Sequence, residues 1–191
     1  MPRASAAPAI LDAARACLIA GRGAFEMKEV ALRAGVSEGL AYHYFKSKAG
    51  LVEAVVDEFY ARYAEIANAP TDGAEDWAVR EERRLRAVVR FLYEDPMARI
   101  VLAGPNRLPE AATAEARNRA DIAERSVRNV RSGQRQGAIP SSVEASVAGP
   151  ASIGALDQAV LHALTQDPVP EQERVADELW RIVRAIMGMT G

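Results

Sequence analysis

The chain is predicted to be all-α, with about nine helices. Three observations carry that prediction. Ala, Leu, Val, Arg and Glu dominate the 191 residues, aromatics make up only 6%, and β-branched runs are scarce. Apolar residues recur with a spacing of three and four in segment after segment. Between those segments stand Gly, Pro, Asn and Asp clusters of the kind that stop helices.

Taken in order, Ile10, Ala13, Ala14, Cys17 and Leu18 mark a first helix ending at Gly21 or Gly23. A short second helix runs from Met27 to Arg33 and breaks at Gly35. Ser37 caps a third helix through Phe45, and Ser47 caps a long fourth lined by Leu51, Val52, Val55, Val56, Phe59, Tyr60 and Tyr63. That helix fades at Asn68-Ala69-Pro70, and Thr71-Asp72-Gly73 forms a turn. The fifth spans Trp77 to Tyr93, its charged run Arg80-Glu81-Glu82-Arg83-Arg84 read as a solvated face. Glu94-Asp95-Pro96 opens a short sixth helix, and 104–109 is a connector. The seventh runs from Pro109 to Gln136. Ser141 or Ser142 caps an eighth, in which Gly149-Pro150 is expected to force a kink or a restart before 151–165. The ninth runs from Pro170 to Met187 with two apolar stripes, Val175, Leu179, Ile182 and Ile186 beside Ala176, Trp180, Val183 and Met187. One stripe can pack on its own domain; the other calls for a partner, and a symmetric dimer is the simplest solution. Leu156, Val160, Leu179, Ile182, Val183 and Ile186 are the expected interface.

Composition narrows the function classes. Cys17 is the only cysteine, so no intrachain disulfide can form; on the apolar face of its helix it reads as a small buried hydrophobe. His43 and His162 are far apart, and no metal site is expected. No Gly-rich phosphate loop, nucleophile elbow, HExxH or paired-cysteine motif is present, which argues against an enzyme and against a cofactor. No signal-peptide core or membrane span is recognisable, so a cytoplasmic protein is expected. Net charge is −2 but unevenly spread. The first fifty residues carry seven basic against four acidic side chains, and hold all three lysines. A positive head on an acidic body suits nucleic acid.

The head has a specific spacing. Counting Met27 as the first position, Val30 is fourth, Ala31 fifth, Ala34 eighth, Gly35 ninth, Val36 tenth, Ala41 fifteenth and Tyr44 eighteenth. Small Ala31 lets two helices cross closely, Gly35 supplies a positive φ, and Val36 anchors the turn. This is a helix-turn-helix, whose second helix can enter the major groove. Ser37, Gly39, Leu40 and His43 then lie on its exposed face, and Lys28 stands where it can clamp backbone. Glu38 can compensate the helix dipole or accept a hydrogen bond from cytosine. Lys46 adds a phosphate contact.

The segment Ile10-Leu11-Asp12-Ala13-Ala14, Gly21, Val30-Ala31, Ala34-Gly35-Val36-Ser37 and Tyr42-His43-Tyr44-Phe45-Lys46-Ser47-Lys48 with Leu51 resembles the N-terminal domain of TetR-family transcriptional regulators. The resemblance covers residues 8–55. It implies that Tyr42, Tyr44 and Lys48 meet phosphates and that Phe45 is core. It also implies a homodimeric repressor that binds a palindromic operator on double-stranded DNA and is released by a small, largely apolar effector. Residues 1–46 would form the DNA-binding domain and 47–191 the ligand-binding and dimerisation domain. Tyr63, Trp77, Met97, Asn118 and His162 are the expected pocket residues by this analogy, although core packing is the default for each. Many members have Thr-Thr before the second helix where this chain has Phe25-Glu26, and Glu26 repels phosphate. Two other functions fit the residues: an effector-independent DNA-binding or adaptor protein, and a small-molecule-binding protein with a vestigial corner.

Overall fold

The computed structural model describes residues 6–69, 76–104 and 108–189. Among them stand nine α-helices: α1 (Ala6–Ala20), α2 (Met27–Ala34), α3 (Glu38–Phe45), α4 (Lys48–Ala67), α5 (Trp77–Glu94), α6 (Ala98–Val101), α7 (Ala112–Arg135), α8 (Ala145–Leu164) and α9 (Gln172–Ile186), with a 3₁₀ turn at Pro109–Ala111 ahead of α7. The expected turn at 71–73 and the middle of the 104–109 connector, 105–107, lie outside the described residues.

Local chemistry explains most helix ends. Gly35 takes the left-handed conformation (φ 69°) after α2, and its N–H reaches back to the Ala31 and Leu32 carbonyls. Ser37 Oγ accepts from the Leu40 N–H at 3.2 Å and Ser47 Oγ from the Gly50 N–H at 2.9 Å, capping α3 and α4. At α8 the expectation fails. Glu144 is the cap, its carboxylate accepting from the Ser146 N–H, and neither Ser141 nor Ser142 serves. The helix also runs unbroken through Pro150. Proline there leaves only the Ser146 carbonyl, in the first turn, without its intrahelical donor, so no restart follows.

The three short helices α1 to α3 pack around Ile10, Ala14, Leu18, Val30 and Ala41, all fully buried. Helix α4 packs on α1 and α3 at one end and on α5 and α7 further along, so it belongs to both surroundings. The joint into it is tight. A Cβ at Gly50 would overlap the Phe45 carbonyl oxygen, so only glycine allows α4 to start so close behind α3. Helices α5, α7, α8 and α9 enclose the larger core, with Leu85, Val88, Leu92, Val130, Leu156, Val160 and Leu179 inside.

The expected interface residues need correction. Leu156, Val160, Leu179 and Val183 are all buried within the chain, while Ile186 is half-buried and Ile182 is exposed. The chain's own α5 and α8 pack on α9 and cover much of its apolar surface, so of these six residues Ile182 and part of Ile186 are left for a partner.

Candidate nucleic-acid interface and ligand cavity

Helix α3 contributes one fully buried side chain, Ala41, to the core. Ser37, Glu38, Gly39, Leu40, Tyr42, His43, Tyr44 and Lys46 are exposed around it, as is Lys28 in the first turn of α2. Tyr42 and Tyr44 leave about two-fifths of their surface to solvent (41% and 40%), unusual for aromatics in a chain with so few. His43 and Tyr44 meet edge to face, and the Lys46 ammonium donates to the His43 carbonyl at the end of the helix. The surface this corner offers is phenolic, with Lys28 and Lys46 exposed beside Glu38, and it is anchored at its rear by Ala41.

Phe25 and Glu26 each have a place in this frame. Phe25 is buried, and the Lys48 ammonium lies 5.3 Å from its ring centroid. The same ammonium is 3.7 Å from Glu110 Oε1, so half-buried Lys48 is held by the head and by the 3₁₀ turn together. The Glu26 N–H donates to the Glu29 carboxylate at 3.1 Å, one arm of a capping box that satisfies the backbone donor at the start of α2. Cys17 is half-buried, and desolvation raises its thiol pKa, as suits an inert packing residue.

Behind the head, a cavity of about 250 Å³ opens among α4, α5, α7, α8 and α9. Tyr63, Leu85, Val88, Leu156, Trp180 and Val183 make its apolar wall. Of the residues expected there, Tyr63 and Trp77 line it and three do not. Met97 is wholly buried at the α5–α6 corner, the Asn118 amide donates to Asp57 Oδ1 and the Ala114 carbonyl, and His162 is exposed near the end of α8.

The polar end of the cavity carries no motif that the sequence marks as a site. Glu81 is 8% exposed, so the run at 80–84 is not simply a solvated face. Its carboxylate accepts from Arg84 Nη1 at 2.5 and 2.6 Å, from Arg80 Nε at 3.3 Å and from Asn129 Nδ2 at 2.6 Å. The usable signal was register: Glu81 falls between Trp77 and Leu85 on the apolar stripe of α5.

Two further charge clusters tie the elements together. Asp95, at the end of α5, accepts from Arg15 of α1 at 2.7 Å, Arg62 of α4 at 2.9 Å and the Met97 N–H at 3.0 Å. Its side chain is 1% exposed. Nearer the cavity, Arg119 on α7 pairs with Glu115 at 2.9 Å and with Asp157 of α8 at 3.3 Å, beneath Tyr60 and Tyr63 of α4. Burial pushes the Asp157 carboxyl up to about 6, opposed by Arg119 and reinforced by Glu115. Among the described residues, no group of three or more His, Cys, Asp or Glu could hold a metal ion, and no helix is long and apolar enough to cross a membrane.

A two-helix corner with an outward-facing second helix, carried on an all-helical body, defines a helix-turn-helix protein. Residues 10–55 match the model of the bacterial regulatory proteins, tetR family. The chain thus carries the helix-turn-helix of TetR-family transcription regulators on an all-helical body of the same fold. A TetR-like transcriptional regulator from Rhodococcus sp. RHA1 superposes with a TM-score of 0.71 at 19% identity, covering 98% of this chain and 99% of that one. The fatty acid degradation regulator FadR from Bacillus halodurans gives 0.78 at 17%, covering 96% of each. SmeT, repressor of the Stenotrophomonas maltophilia multidrug efflux pump SmeDEF, gives 0.71 at 19%, covering 96% of this chain and 90% of that one. No curated protein matches the chain.

Proposed function

We propose that the protein is a homodimeric repressor that binds a palindromic operator through α3 and releases it when a small molecule enters the body cavity. The observation that carries this reading is α3 itself, a capped helix that fully buries only Ala41, rests Phe45 against the core and turns Tyr42, His43 and Tyr44 to solvent. Residues 1–46 form the DNA-binding unit and 47–191 the effector and dimerisation unit. The resemblances are to regulators, and no catalytic role is assigned. Tyr42, Tyr44, Lys28 and Lys48 take phosphates, while Ser37, Glu38, Gly39, Leu40 and His43 face base edges. Two copies pair through the outer faces of α8 and α9, where Val147, Ala151, Gly154 and Ile182 are exposed. The two third helices then lie roughly one DNA turn apart, about 34–36 Å. An effector that prefers another separation lowers operator affinity by its differential affinity for the two states.

The test begins with genomic fragments retained by the purified protein, titrated in a gel shift across salt concentrations. Tyr42→Phe and Lys48→Ala should each weaken binding, and the lysine change should also reduce the salt slope by about one. Unchanged affinity and slope in both variants would remove α3 and its flank from the DNA-binding assignment.

A further inference from the structure

FadR and SmeT share this fold while serving different ends, so the effector's chemistry has to be read from this chain's own cavity lining. We infer that the effector is an amphipathic carboxylate, its head between Arg84 and Arg125 and its apolar tail against Leu156, Trp180 and Val183. The inference rests on the effector reading above.

Charge carries it. The residues that line the cavity include two guanidinium groups, Arg84 and Arg125, and one carboxylate, Glu81. Glu81 is already saturated, taking four hydrogen bonds from Arg84, Arg80 and Asn129. A cationic ligand would have to displace Arg84 and then face the remaining guanidinium charge. An anion meets no such competition. Arg125 is exposed on α7 and has no ion-pair partner among the described residues, and Arg84 spends only Nη1 on Glu81, leaving Nε and Nη2 to donate. Paired N–H donors with this geometry favour a planar carboxylate over a hydroxyl.

Exposure sets the orientation. Leu156, Trp180 and Val183 are at most 8% exposed, whereas the Arg84 side chain is 26% exposed and Arg125 more so. The charged end therefore lies at the mouth and the apolar end inside. Such a ligand loses little hydration at its head while its tail gains contact with apolar wall.

The chain has two tryptophans, Trp77 and Trp180, and both line the cavity, so intrinsic fluorescence reports on it directly. Straight-chain carboxylates from six to twelve carbons would be titrated into the full-length protein beside the matched alcohols and amines. The expected result is saturable fluorescence change with at least tenfold tighter binding of a carboxylate than of its alcohol, and the amine weakest. Arg125→Gln, at an exposed position, should bring carboxylate affinity to within about threefold of the alcohol, its fold checked by circular dichroism. Alcohols binding as tightly as acids would overturn the carboxylate assignment while leaving a ligand cavity in place. No response to any member overturns it as well. A parallel gel shift separates the two readings: preferred carboxylate binding that leaves DNA retention unchanged upholds the ligand class and sinks the effector role.

Discussion

Helices α3 and α5 put their functional side chains to opposite uses. Eight-residue α3 buries one residue, while eighteen-residue α5 buries seven, among them Glu81. In the head, the side chains assigned to function point away from a frame built by other residues. In the body, the side chains that shape the cavity are also the packing. Substitutions on α3 should therefore change binding with little effect on stability, and substitutions around α5 should change both.

The largest expected effect comes from the body side of that contrast. Arg15→Met with Arg62→Met leaves Asp95 buried with only the Met97 N–H, and should cost about 3–5 kcal/mol in urea unfolding, the usual penalty for stranding a buried charge. A loss below about 1 kcal/mol would show the cluster to be passive.

Next comes acidity. The folded state favours protonated Asp157, so this contribution is full below the ordinary aspartate range and is lost as pH rises through about 6. The groups facing it are Arg119 and Glu115 of α7 and Tyr60 and Tyr63 of α4. Asp157→Asn should flatten the stability profile between about pH 3 and 7 by up to about 3 kcal/mol, less than half of it above pH 5. An identical slope in wild type and variant would discard the assignment.

Gly50→Ala should cost about 2 kcal/mol, because its Cβ must push the Phe45 carbonyl and so displace α3 from α4. Gly39→Ala is the smallest and the sharpest. A Cβ there meets nothing within 4 Å, so thermal stability should hold or rise by less than about 1 kcal/mol while operator affinity falls. If operator affinity instead survived intact, base-edge approach at Gly39 would be wrong.

The same contrast explains what could be read in advance. The Ser37 and Ser47 caps and the Gly35 turn rest on interactions within four residues, which the sequence spells out. Leu179 and Val183 could not be assigned to a neighbour, because periodicity finds an apolar stripe without saying whether α5, α8 or a second copy covers it. Asn118, expected in the pocket, instead has a local use, its amide donating to Asp57 and to the Ala114 carbonyl. Glu81 and Arg125 were legible only by asking which charges fall on an apolar stripe or at its border. Pro150 causes no break because its cost depends on its place in a helix, and α8 starts at Ala145, later than a cap at Ser141 or Ser142 implies.

Asp95 has one more implication. Its carboxylate lies at the end of the helix that walls the cavity, and one of its two cations belongs to α1. The head cannot swing away from α5 without parting that guanidinium from a group that water barely reaches. Moving α1 away from α5 would leave that carboxylate to Arg62 and the Met97 N–H alone, so the ion pair ties the head to the far end of the cavity wall.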